Sequence, residues 1–159
     1  MSDLAVAEAA MSPEERSKAQ ALEQIERLCE EADYFGWDVR VHDAGDFLVC
    51  LVRIEKPGGR TFVVRLECDD YPALAPLQAF IDPELFETAD ETTEARAEFW
   101  PQGPNVDPGR APLPVICIRG HRDYYAGGWH DGWSDPPTAA HALYQHVVDV
   151  RNAIFDVWA

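Results

Sequence analysis

The sequence predicts an α+β fold: an N-terminal helix, a four-stranded antiparallel meander, a long irregular loop region that carries the candidate chemistry, and a C-terminal helix. Two stretches, from Ser12 to about Tyr34 and from Thr138 to Trp158, repeat apolar residues at helical spacing. Between them, residues 37–66 alternate apolar and polar positions, which is the period of strands. Residues 82–137 then concentrate proline, glycine and tryptophan without either period. The 159 residues, 47% of them hydrophobic and 11% aromatic, suit one domain with a substantial core.

The first helix is expected to start at Ser12-Pro13-Glu14-Glu15, where a capping serine, a proline at the first helical position and a glutamate three residues on form a capping box. Residues 1–11 are expected to be a disordered lead-in, and 12–159 the domain. Leu22, Ile25, Cys29 and Ala32 are its expected buried stripe, with Glu23, Glu26, Glu30 and Glu31 facing solvent. After Gly36, Trp37-Val39-Val41, Phe47-Val49-Leu51-Arg53 and Phe62-Val64-Leu66 read as half-buried strands, joined by turns at Ala44-Gly45-Asp46 and Lys56 to Arg60. A fourth strand is expected over Leu77–Ile81. The prolines of Tyr71-Pro72-Ala73-Leu74-Ala75-Pro76 exclude regular helix ahead of it. The acidic stretch Glu84 to Glu98 has room for a helical turn or two. In the last helix Leu143, Val147, Val150, Ile154 and Val157 form the apolar stripe, and His141 and His146, five apart, are expected at its surface or half-buried.

Charge and cysteine usage narrow the function classes. A net charge of −16 argues against nucleic acid or an anionic membrane as partner, since both need a cationic footprint. No window is apolar for the length of a bilayer, and the alanine-rich, acidic N-terminus lacks the basic and apolar regions of a secretory signal. Cys29, Cys50, Cys68 and Cys117 show neither a C-x-x-C spacing nor a paired pattern, so no disulfide framework or zinc knuckle is expected, and a reducing cytoplasm is the consistent compartment.

Within the irregular region, Gly103-Pro104-Asn105-Val106 is followed by Val115-Ile116-Cys117-Ile118, with Cys117 twelve residues after Asn105. A free cysteine is most often a small buried hydrophobe. Here, a thiol with a carboxamide just upstream points to acyl transfer: a thiolate attacks thioesters and leaves well, and the Asn105 amide N–H can donate to the developing oxyanion. Arg119, His121 and Arg122 follow at once, and cations near a thiol favour its thiolate. His121 is the candidate base, for an incoming amine or for Cys117 itself. His121, Asp123, His130 and Asp131 lack metal-ligand spacing, and no metal site is expected. Tyr124, Tyr125, Trp129 and Trp133 either cover the thiol, dock a partner or pack the loop onto the domain.

The order of these features resembles the ubiquitin-conjugating enzyme fold: helix, meander, the Tyr71 to Pro76 connection, the Gly103-Pro104-Asn105 turn, Ile116-Cys117-Ile118, then Trp133-Ser134-Asp135-Pro136 opening a helix. In that family a Tyr-Pro-x-x-Pro-Pro stretch precedes the fourth strand, and a His-Pro-Asn turn precedes the catalytic cysteine. This chain departs by Gly103 in place of the histidine, a longer gap from Asn105 to Cys117, an insertion over His121 to Gly132, and one helix after the cysteine where eukaryotic members have three. It is similar to compact bacterial relatives of conjugation or antiphage systems. The resemblance implies that Cys117 carries a ubiquitin-like protein as a thioester and passes it to an amine, with no cofactor. It implies as partners the ubiquitin-like protein, an activating enzyme and a deubiquitinase-like peptidase. Two alternatives remain open: a non-catalytic binding or scaffold domain of the same fold, and a cysteine hydrolase using Cys117 with His121.

Overall fold

A computed structural model describes residues 10–56, 59–101, 106–107, 113–126, 132–133 and 142–157. Helix α1 spans Pro13–Phe35. Ser12 Oγ accepts the Glu15 N–H at 3.1 Å, the Glu15 carboxylate accepts the Ser12 N–H at 3.2 Å, and Gly36 ends the helix at φ 72°, a left-handed value that glycine adopts without penalty. The buried stripe is Ala21, Ile25, Leu28 and Ala32, which corrects the expected one. Leu22 is 44% exposed and Cys29 is also exposed. Each lies one residue, or about 100°, around the helix from the true stripe, where Ala21 lets the backbone approach its neighbours closely.

Strands β1 (Asp38–Asp43), β2 (Leu48–Glu55), β3 (Thr61–Glu67) and β4 (Leu77–Ile81) form one antiparallel sheet in sequence order. Val39, Val52, Val64 and Phe80 stand in register across it. This is the expected meander, with one difference: β2 and β3 are buried on both faces. Cys50, Val52, Ile54, Phe62, Val64 and Leu66 join α1 and the C-terminal helix in the main core. Val49, Leu51, Val63 and Ile81 pack with Phe86 and Ala89 in a second, smaller core on the other face. Period-two alternation could not show this, because the cover is an irregular segment over residues 83–95 that begins with a 3-10 turn, Pro83–Leu85; a second, Ala97–Phe99, follows it. Arginines from the sheet hold that segment. Arg40 donates to the Phe86 carbonyl at 2.7 Å and to that of Ala89, while Arg65 donates to those of Asp90, at 3.1 Å, and Thr93.

After β4 the chain forms a two-residue ladder, β5 (Val106–Asp107) with β6 (Val115–Ile116), a short helix α2 (Arg122–Ala126), and helix α3 (Leu143–Val157). Leu143, Val147, Val150 and Ile154 of α3 are fully buried, each contributing about 1.5–3 kcal/mol through removal from water. α3 packs on α1, where the Arg27 guanidinium sits 4.4 Å above the Tyr144 ring. Among the described residues no helix is long and apolar enough to cross a membrane.

Candidate active site around Cys117

The backbone that presents Cys117 is fixed from both ends. Before it, Ile116 is fully buried and pairs with Val106. Directly after β6 the chain turns sharply, the Ile118 N–H donating to the Ile116 carbonyl at 2.9 Å, which leaves Cys117 at the apex of a three-residue turn. Its side chain is exposed. Beyond the turn, Gly120 adopts φ +104°, its N–H donates to the Tyr125 hydroxyl at 3.2 Å, and the Arg122 N–H donates to the Pro76 carbonyl at 2.8 Å. The turn is therefore tied to α2 and to the Tyr71–Pro76 connection.

The three charged neighbours expected to act on the thiol fall into different places. Arg119 is exposed, beside Cys117 in the chain. Arg122 is engaged by Asp69 in a two-pronged ion pair, with contacts of 2.7 and 3.3 Å, so its charge is already balanced. His121 is 1% exposed, and its Nε2 lies 2.7 Å from the Ile116 carbonyl. A carbonyl only accepts, so Nε2 carries the proton and Nδ1 is the lone-pair nitrogen. Nδ1 is itself buried and has no hydrogen-bond partner among the described residues. Burial lowers the His121 pKa, against the opposing effects of the Ile116 hydrogen bond and Asp123, and so favours the neutral imidazole. These facts set His121 in the wall beneath the turn, away from the solvent that an incoming amine would cross.

His146, for which the sequence suggests a surface or half-buried place, is 1% exposed. It lies three residues after Leu143 and four before Val150, on the face α3 buries. Its Nδ1 lies 2.6 Å from the Arg119 carbonyl, which only accepts, so Nδ1 carries a proton, while its Nε2 faces the Gln78 side-chain oxygen of β4. Burial pushes its pKa down to about 3, the neighbouring His121 adding to the shift.

The other thiols are poorer nucleophiles by environment. Burial raises the Cys50 pKa well above its ordinary value and that of Cys68 to about 12. Cys29, exposed on α1, is raised by partial burial and then by Asp33 and Glu26.

Asn105 lies outside the described residues, as do Gly103, Pro104, Trp129, His130, Asp131 and His141. Trp133 donates its indole N–H to the Pro72 carbonyl at 2.6 Å and sits with its ring centre 6.3 Å from that of Tyr71 and 5.7 Å from that of Tyr125. Of the readings open for the aromatic residues, these contacts are packing of the post-cysteine segment onto the Tyr71-Pro72 turn. Among the described residues His42, Asp90 and Glu91 bring three ligand-type atoms within 4.8 Å of one another. They are partly exposed, and His42 approaches Glu91 at 3.0 Å as an ion pair would.

Comparison of the chain with protein families, with curated proteins and with solved structures finds no match.

Proposed function

We propose that the chain is a conjugating enzyme for a ubiquitin-like protein, acting through a thioester on Cys117 in a bacterial conjugation or antiphage system. The observation that carries this reading is the exposed thiol at the apex of a turn anchored on both sides, following a helix and four-strand meander in the order the sequence resemblance implies. Cys117 Sγ attacks the thioester carbonyl presented by the activating enzyme, and the enzyme's thiolate leaves. An acceptor amine then attacks the new thioester, the C–S bond breaks as the C–N bond forms, and the amine proton passes to solvent or a base. Asn105 is assigned the oxyanion hydrogen bond; its chain neighbour Val106 pairs with Ile116, the residue before Cys117. The thioester conserves the activation energy, so placement of two proteins supplies the rest without nucleotide or metal in this domain.

The test combines the chain with the ubiquitin-like protein, activating enzyme and ATP. A reductant-sensitive adduct is expected on the wild type and none on Cys117→Ala, with discharge to an amine slowed about 100-fold by Asn105→Ala. A wild type that forms no adduct but binds the modifier returns the scaffold reading. Turnover of a thioester probe without activating enzyme returns the hydrolase.

A further inference from the structure

Two histidines 25 residues apart in sequence meet under the Cys117 turn, and both are 1% exposed. Their ring centres are 5.6 Å apart. His121 reaches the Ile116 carbonyl and His146 the Arg119 carbonyl, so the two bonds bracket Cys117 and Ile118. The Ile116 carbonyl also takes the Ile118 N–H that closes the turn. Gly120 is pressed onto the His146 ring so closely that an added Cβ would lie 2.8 Å from Nδ1. An imidazole buried among Leu143, Val147 and Val150 carries a desolvation cost that a leucine would not. What a histidine adds at these positions is an N–H aimed at a carbonyl.

We propose that His121 and His146 are positioning residues for Cys117, holding the Ile116 and Arg119 carbonyls so that the thiol is presented in one orientation to the incoming thioester and to the acceptor amine. The role in transfer rests on Cys117 being the nucleophile proposed above. The Ile116 carbonyl sets the proton of His121 on Nε2; the Arg119 carbonyl sets that of His146 on Nδ1, which requires the Gln78 carboxamide to turn its NH2 rather than its oxygen towards Nε2. The charged or titratable groups that act on the pair are Asp123 of α2, on His121, and His121 itself, on His146, while β4 offers the uncharged Gln78. No carboxylate among the described residues bonds either ring.

Two readouts on the full chain test this. In imidazole nitrogen NMR of the wild type, His121 is expected as the Nε2–H tautomer and His146 as the Nδ1–H tautomer, with His121 titrating below its ordinary value and His146 still neutral at about pH 5.5. The opposite tautomer at either ring, or titration of His146 near its ordinary value, overturns the clamp. The second readout compares His121→Leu and His146→Leu, which keep bulk without a donor, with His121→Gln and His146→Asn, which keep an N–H. Cys117 alkylation by iodoacetamide is read against exposed Cys29 as internal reference, alongside kcat and KM for discharge of the preformed thioester. The leucine variants are expected to lower kcat about 10-fold at unchanged KM and to change the Cys117 to Cys29 labelling ratio by a similar factor, with the amide variants recovering most of both. Leucine variants equal to wild type in both measures overturn the proposal, whatever happens to their melting temperature. Should a leucine variant not fold, the wild-type tautomers decide. A wild type that accepts no thioester removes the transfer role while the tautomers and labelling ratio still decide the clamp; a wild type that loads, with leucine variants equal to it in both measures, removes the clamp alone.

Discussion

Four thiols in one chain separate by environment alone. Cys50 and Cys68 are buried and held protonated, Cys29 is exposed among acidic residues, and Cys117 is exposed at the apex of its turn. Iodoacetamide at neutral pH is therefore expected to modify Cys117 first and Cys29 next, with Cys50 and Cys68 slower by about 100-fold or more, as peptide-resolved mass spectrometry would show. Equal rates for Cys117 and Cys68 would remove the assignment of the nucleophile. Gly120 is the second residue with a sharp expectation. Alanine there is strained by φ +104° and would meet the His146 ring at 2.8 Å, against a helix whose stripe is fully buried. Gly120→Ala should cost about 2 kcal/mol or more in a urea melt and change Cys117 labelling with it. An apolar frame and an upstream asparagine set Cys117 apart from the other three in the sequence, and the structure adds that its side chain is exposed. His146 was not legible in the sequence, because a polar residue between apolar ones reads as surface until a buried acceptor for its N–H is known.

At the scale of elements, signals that act locally were read well. The capping box at Ser12, the left-handed Gly36 and the turn at Gly45 are each decided by a few neighbouring residues, and α1 and the four strands fall where those residues put them. The identity of the buried face was read less well, since Leu22 against Ala21 and Cys29 against Leu28 are choices made by whatever packs on the helix. The second core was hidden for the same reason: its cover over residues 83–95 has no period, and part of its attachment is made by arginines, which a binary pattern places in solvent. Arg65 is 7% exposed, and its guanidinium holds two carbonyls of this segment. Arg65→Met would keep much of the bulk and leave both carbonyls without that donor, at about 1–3 kcal/mol. Faster amide hydrogen exchange over residues 86–93, with the Cys117 labelling rate unchanged, is the expected signature. Altered Cys117 labelling would mean that the two faces of the sheet are coupled, which the separate cores do not suggest.

For the whole molecule, the two buried histidines set how stability depends on pH. Both have folded pKa values below the ordinary histidine value of about 6.5 that they regain on unfolding. Above pH 6.5 neither state binds these protons, and their contribution to stability is complete. As pH falls below about 6.5 the unfolded chain takes up protons that the folded chain binds less readily, so stability drops, by up to roughly 1.4 kcal/mol per pH unit for His146 down towards about 3 and in the same direction for His121. Carboxylates act lower in the scale and in both directions. Asp43 and Asp90, lowered mainly by their hydrogen bonds with Lys18 and Thr92, lose their contribution as they protonate, while Glu67, raised by burial, becomes easier to accommodate. Protonation near the pI of about 4.5 also relieves self-repulsion in a chain carrying a net charge of −16. The window between about pH 6.5 and 5.5 belongs chiefly to the histidines, because few carboxylates titrate there. Urea unfolding at about pH 7.5, 6.5 and 5.5 should give a stability that is level over the first step and falls over the second, and His146→Leu should reduce that fall by removing its proton. A wild-type stability that is flat or rising below pH 6.5 would show that these imidazoles are already charged in the folded state, and a charged His121 could not remain buried with an unpartnered Nδ1 beneath Cys117.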